Sequence, residues 1–334
     1  MQFILVFALA SCSGSETQQT PSTDTTGAPA LLPSWQESVS DQITEYVQAV
    51  TDSSSSVFIP VEDRIAVFDN DGTLWSEQPL YFQLYFAFDR MKYLAPQHPE
   101  WRETQPYKAV LEDDMETLMS YGVKGLLEVA LATHAGMTTE EFDASVRAWI
   151  DTARHPSKNV PYTDLIYQPM QELIDYLEGN DFKVFIVSGG GIDFIRVWVE
   201  EVYGLPRDQV VGTSIKKEYD YNNGDPLIRR LAEIDLIDDK GGKPVGIDRY
   251  IGRKPIFSAG NSDGDLEMMR WTDANQLRTL KLYLHHTDSE REWAYDRESH
   301  VGGFNVALDE ARQKDWLIVD MKEDWLKVYP SSEK

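Results

Sequence analysis

Apolar residues follow two different rhythms along this chain. At Trp35, Val39, Ile43, Tyr46, Val47 and Val50 they recur every three or four positions, the stripe of an amphipathic helix over 35–52. Ile65-Ala66-Val67-Phe68 is instead a short unbroken run, as expected of a strand buried on both faces. Comparable runs stand at 182–187, 256–259, 279–284 and 317–319, and helical patterns fall between them at 168–178, 192–203, 243–252, 266–271, 291–295 and 305–314. Alternating strands and helices predict an α/β fold, a doubly wound, Rossmann-like parallel sheet. Two stretches depart from the alternation. Residues 75–162 carry only helical patterns: an aromatic-rich one opened by Pro79, another from Pro106 through Leu111, Met115 and Leu118, then 125–134 and 138–154. Residues 210–221 and 227–232 flank Asn222-Asn223-Gly224-Asp225, the signature of a hairpin.

Polar residues interrupt the apolar runs where open α/β sheets place their chemistry, at the carboxyl ends of strands. Asp69 and Asp71 leave the first strand two positions apart and face one side. Carboxylates that close repel unless a cation or a shared proton relieves them, and magnesium, which prefers oxygen ligands, suits the pair. Gly72 lets the chain turn sharply and Thr73 can hydrogen-bond a nearby carboxylate. The second strand runs into Ser188-Gly189-Gly190-Gly191, where a hydroxyl and exposed amides make an anion-binding loop. Gly241-Gly242-Lys243-Pro244 starts a helix that feeds the strand at 256–259. A helix preceding a parallel strand runs opposite to it, so Lys243 lies at the active edge and Lys254 at the far one. That strand ends in Gly260-Asn261-Ser262-Asp263-Gly264-Asp265, a turn whose oxygens suit a hard cation.

With these motifs in order, the chain resembles the haloacid dehalogenase superfamily, whose first motif is an apolar strand followed by DxDGT. The resemblance covers about 60–285. It implies that Asp69 is a nucleophile forming an aspartyl phosphate and Asp71 the general acid and base. It also implies that Ser188, Gly189, Gly190 and Thr73 hold the phosphoryl group, that Lys243 neutralises it, and that Mg2+ sits among Asp69, Asp71, Asn261 and Asp265. The family usually has Asp where this chain has Asn261, so either Asp263 compensates or metal affinity is lower. The implied activity is a magnesium-dependent phosphomonoester hydrolase, phosphoserine or phosphorylcholine phosphatase-like, acting on a small phosphorylated metabolite. Asp71 disfavours a dehalogenase or phosphonatase of the superfamily. A binding protein that captures a phosphorylated ligand without turnover is the alternative of another class. The 79–162 helices would form a cap over a core built from 35–78 and 163–334. Trp75, Tyr81, Tyr85, Trp101 and Tyr107 in or beside it suggest either a cage for a cationic head such as choline or, more commonly, ordinary helical packing.

Composition narrows the partners. The formal net charge of −25 over 334 residues excludes a nucleic-acid surface and repels anionic substrates at long range, so a phosphate must be held by local groups. The six histidines, His285 and His286 included, lack zinc-site spacing. The single cysteine, Cys12, allows no disulfide within the chain. Apolar residues 3–10 lead into Leu9-Ala10-Ser11-Cys12, which resembles a bacterial lipobox, although Met1 and Gln2 supply no positive charge. The run is too short to span a bilayer. A signal peptide over 1–12 and a Ser/Thr/Pro-rich tether over 13–34 would make this a lipoprotein of the bacterial cell envelope, touching the membrane only through a lipid on Cys12.

Overall fold

The computed structural model describes residues 32–222 and 224–330, so Cys12, the lipobox-like stretch and most of the 13–34 segment lie outside the described residues. Seven strands form one sheet: β1 (Ile65–Phe68), β2 (Lys183–Gly191), β3 (Val210–Asn222), β4 (Asp225–Leu236), β5 (Phe257–Gly260), β6 (Leu280–His285) and β7 (Leu317–Asp320). Their order is β4-β3-β2-β1-β5-β6-β7, parallel throughout except for the β3–β4 hairpin. The chain winds outward from β1 through β2 and β3, then returns to β5 on the other side of β1. The carboxyl edge of β1 is therefore the point where strand order reverses, the place such sheets leave a crevice.

The unbroken apolar run of β1 has the expected cause. Ala66 and Phe68 pack into one apolar core with the helices Glu37–Thr51 and Gln168–Glu178. Ile65 and Val67 pack into a second, on the opposite face, with Gly242–Tyr250, Leu266–Asp273 and Val306–Gln313. Both faces of the strand are covered, so neither can carry polar residues before the edge is reached.

Between β1 and the helix Gln168–Glu178 that leads into β2 stand five further α-helices, Phe82–Leu94, Tyr107–Leu111, Met115–Ser120, Gly122–His134 and Thr139–Ile150. They contribute a small apolar cluster of their own, including Phe88, Met91, Val110, Leu118 and Val129. The last helix starts with a capping box, Thr138 Oγ1 accepting the Glu141 amide at 3.2 Å and Glu141 Oε2 accepting the Thr138 amide at 2.8 Å.

Four expectations need adjusting. The helix after Pro106 breaks at Asp113, which has a left-handed φ of 56°, and Asp114 then caps a new helix by accepting the Thr117 amide. The 192–203 helix is likewise two short pieces, Ile192–Arg196 and Val199–Tyr203. No helix forms over 291–295, because Asp288 accepts the amides of Glu290 and Arg291 while buried Glu292 holds Tyr167, His286 and the Trp293 amide, and these partners fix a loop. The last residues of the supposed tether are packed: Leu32 is buried and Ser34 donates its amide and hydroxyl to Glu172 at 2.9 and 2.6 Å.

Candidate active site

Three strand edges converge on one ammonium. Lys243 enters from the first turn of Gly242–Tyr250 and is 2% exposed. Its Nζ donates to Asp69 Oδ1 at 2.6 Å and to the Val187 carbonyl at 2.7 Å, and it lies 2.7 Å from Asp265 Oδ1. Three acceptors match the three hydrogens of an ammonium, and they come from β1, β2 and the turn after β5. Burial opposes that charge, but Asp265 and Asp69 outweigh it and raise the lysine above its ordinary range. Lys254 instead lies over the Trp271 ring at the far edge, as helix polarity requires.

Asp69 projects from the end of β1, where its amide still bonds to Ala259. Its Oδ2 has a long 3.4 Å contact from Thr73 Oγ1, whose better bond, 3.1 Å, goes to Asn261 Oδ1. Burial pushes the Asp69 carboxyl up, and neighbouring Asp265 adds to this against the pull of Lys243. Two residues on, Asp71 Oδ1 accepts a 2.7 Å hydrogen bond from Trp75 Nε1. Its Oδ2 faces Gly190, where a Cβ would stand 3.5 Å away. Burial raises the Asp71 carboxyl to about 6, with Trp75 and Lys243 opposing, a value suited to giving and taking protons near neutrality.

The glycine loop differs from a simple turn into a helix. Pairing of β2 with β3 jumps from Ser188↔Gly212 to Gly191↔Thr213, so Gly189 and Gly190 bulge out toward the site. Ser188 is fully buried, and its Oγ accepts the Gly190 amide at 3.0 Å. The Gly191 amide bonds to Gln83 Oε1 at 2.6 Å, a side chain from the helical insert.

The turn after β5 divides its labour. Asp265 Oδ2 accepts the amides of Asn261 and Ser262, both at 3.0 Å, while Oδ1 faces Lys243. Asp265 was expected among the metal ligands; both its oxygens are committed to the loop and the lysine. Asp263 cannot stand in for Asn261 either, because its carboxylate caps Val306–Gln313 through the Asn305, Val306 and Ala307 amides.

A family model for haloacid dehalogenase-like hydrolases matches residues 66–270, more than half the chain. The chain belongs to that family. Among curated proteins none matches. A solved structure of a conserved, functionally unknown protein from Anaerococcus prevotii DSM 20548 is similar at 16% identity, with 86% of this chain and 92% of that one covered and a TM-score of 0.52. A phosphoserine phosphohydrolase-like protein from Francisella tularensis is 17% identical, over 66% and 87% of the two chains, with a TM-score of 0.37. A probable phosphoserine phosphatase from Vibrio cholerae is 15% identical, over 67% and 57%, with a TM-score of 0.36. Likeness at these identities speaks to the fold alone.

Within this haloacid dehalogenase-like hydrolase, one acid escaped sequence reasoning. Glu77 is 2% exposed, and its Oε1 accepts from Asn261 Nδ2 at 2.7 Å and from Tyr295 OH at 2.8 Å. It lies over Gly72, where φ is +73° and a Cβ would come within 2.3 Å of the carboxylate. Only glycine fits there. Burial raises Glu77 well above its usual range, and Asp71 and Asp69 push the same way. A carboxylate eight positions past the strand, meeting Asn261 across the sheet edge, has no local sequence signal.

Asp69, Asp71, Glu77 and Asp265 line one cavity with Lys243. Among the described residues no group of three or more His, Cys, Asp or Glu side chains is arranged to hold a metal by itself. The donors present, Asp69, Asp71 and the Asn261 amide oxygen, are all hard oxygens and few in number. That set fits magnesium, which takes one or two carboxylates and completes its shell with water and phosphate oxygens.

The cationic cage does not assemble. Trp75 is fully buried, stacked on Trp198 at 4.4 Å, and its indole serves Asp71. Trp101 stacks on His98 and Tyr107, Tyr85 on Tyr162, and of the five rings only Tyr81 reaches the cavity. Neither His285 nor His286 lines it; His286 Nε2 lies 2.7 Å from the Gly72 carbonyl and steadies that turn.

Two outcomes test this electrostatic layout. Asn261→Asp sets a second carboxylate against Glu77 Oε1, so thermal melting with a chelator should show a loss of about 1–3 kcal/mol, regained largely on adding Mg2+. Asp238, fully buried with neither oxygen hydrogen-bonded, is raised by burial to about 7. The folded state holds this proton more tightly than the unfolded one, so stability falls as pH rises from about 4 to about 7. Asp238→Asn should flatten that fall, by up to about 3 kcal/mol, in denaturant midpoints compared at pH 5 and pH 8.

Proposed function

We propose that this hydrolase is a magnesium-dependent phosphomonoesterase working through an aspartyl phosphate on Asp69. The observation that carries the reading is the pair of acids at the β1 edge, Asp69 held by Lys243 at 2.6 Å and Asp71 with one oxygen fixed by Trp75 and the other facing the Gly190 bulge.

An Asp69 oxygen attacks phosphorus and the bond from phosphorus to the alcohol oxygen breaks, while protonated Asp71 delivers its proton to that leaving oxygen. Asp71, now a carboxylate, takes a proton from a water that attacks the phosphorus of the aspartyl phosphate. Inorganic phosphate leaves and the Asp69 carboxylate is restored. Lys243 holds positive charge beside the equatorial oxygens without reorganising, since its partners already fix it. The bulged Gly189 and Gly190 present backbone to the same oxygens, and Ser188 holds the bulge in shape. Asp69, Asp71 and Asn261 would hold magnesium, which would supply further positive charge for the transferring group. Glu77 acts through Asn261: by accepting from Nδ2 it turns Oδ1 toward the site.

Phosphoserine and phosphocholine are candidate substrates only in the sense that they are small phosphomonoesters. The lipobox-like Leu9–Cys12 adds a cell-envelope location through a lipid on Cys12, and no described helix is long and apolar enough to cross a membrane.

With Mg2+ present, p-nitrophenyl phosphate should be hydrolysed. Asp69→Asn should abolish this, and Asp71→Asn should slow turnover by about 10²–10⁴ while still giving a burst of nitrophenolate in rapid mixing. Turnover surviving in Asp69→Asn sinks the nucleophile assignment, and tight binding of the ester without product favours a capture protein. Cys12→Ala should move the protein from the membrane to the soluble fraction on cell fractionation.

A further inference from the structure

The cavity beside Asp69 and Asp71 has a volume of about 300 Å³ and two chemically distinct ends. One is the polar edge already described. The other lies between the Gly122–His134 helix and the β3–β4 hairpin, and its character follows from sequence periodicity. Val123, Leu127 and Leu131 recur at four-residue spacing and project one apolar ridge into the cavity. Opposite them, Ile215 and Ile234 are a directly paired cross-strand couple of the hairpin, on the face turned the same way. Leu84, the neighbour of Gln83 in the first insert helix, lines the same cavity.

None of these side chains is fully buried, although each is apolar and borders a cavity rather than a packed core. The polar groups in the same wall are already satisfied by one another. Gln83 joins the Gly191 amide to His134 Nε2. Arg230 bonds to Asp193 and to the His134 carbonyl, and Lys217 closes the same cluster on Asp193 at 2.7 Å. Thr213 donates to the Gly189 carbonyl at 2.7 Å. Burial and the nearby Arg230 lower His134 to about 3, so it is a neutral ring. The wall therefore offers neither a free cation for a substrate carboxylate nor an aromatic cage for an ammonium. Apart from the Asp239 carboxylate, which lies beside Gly189 and Gly264 at the sheet edge, what remains without a partner is apolar surface continuous with the phosphoryl site.

We infer that the leaving alcohol of this enzyme carries an apolar body, so that its substrates are monoesters of alkyl-type alcohols whose chain lies between Leu127, Leu131, Ile215 and Ile234. The inference rests on the phosphomonoesterase reading and specifies its substrate class. The alcohol oxygen stays at Asp71 and the phosphoryl group at the Gly189–Gly190 bulge, with the chain directed away from the sheet edge. A charged alcohol, whether zwitterionic serine or cationic choline, would have to desolvate its charge against the apolar part of this wall, which disfavours it.

The test is a homologous series of n-alkyl phosphates, from ethyl to octyl, assayed by phosphate release from the whole protein with Mg2+, alongside phosphoserine and phosphocholine. If the wall receives the chain, kcat/KM rises about fourfold per methylene, on the order of 10²-fold from ethyl to hexyl, then levels off as the cavity fills. Leu131→Asn and Ile215→Asn each flatten this slope, and phosphoserine and phosphocholine rank with the short esters. A flat or falling series with phosphate still released, or a preference for the zwitterionic esters, overturns the inference and leaves the phosphomonoesterase intact. Should no ester be hydrolysed, calorimetric titration with n-alkylphosphonates decides separately. Affinity growing with chain length upholds the apolar site, and affinity independent of length refutes it.

Discussion

The whole edge of the sheet is tied together by one buried ammonium. Lys243 donates hydrogen bonds to Asp69 and to the Val187 carbonyl and pairs with the Asp265 carboxylate, groups delivered by two adjacent strands and by the turn after a third. Such a charge in an apolar setting is tolerable only when every donor is matched and opposite charge is close. Both conditions fix where the strand ends can lie relative to one another. Removing any acceptor would leave charge buried without relief, so the lysine couples the register of the sheet to the geometry of the chemistry.

The remaining electrostatics follow from an excess of acid. Where the family pattern has an aspartate, this chain has Asn261, and the missing carboxylate reappears as Glu77 behind it, joined at 2.7 Å. Tyr295, donating to the same Glu77 oxygen, and His286, bracing Gly72, extend this arrangement to the loop after β6, which sequence periodicity alone treats as peripheral.

How much of this was legible in the sequence depended on distance along the chain. Asp69, Asp71, Ser188, Lys243 and the 260–265 turn each end or precede a periodic element, so strand order and helix polarity suffice to bring them to one edge. Both faces of β1 are apolar because both are covered, which the unbroken run already implied. Roles that depend on contacts between distant residues were not legible. Glu77 meets Asn261 184 positions away. Trp75 reads in the sequence as ordinary packing or a cage ring; it is packed, and its donation to Asp71 is a role no local pattern marks. Asp263 and Asp265 share one turn, and only their geometry shows that one caps a helix and the other serves the lysine. The 291–295 loop carries helix-compatible residues whose side chains find better partners in tertiary bonds, a competition that periodicity cannot register.

The β3–β4 hairpin sits at the rim of the sheet, with β4 the outermost strand and no successor hydrogen-bonded beyond it. Its facing isoleucines are two strands removed from the β1 edge. Evolution can therefore lengthen, shorten or recolour this peripheral ribbon without disturbing the central strands, so ligand preference can drift among descendants while the reactive machinery stays unchanged.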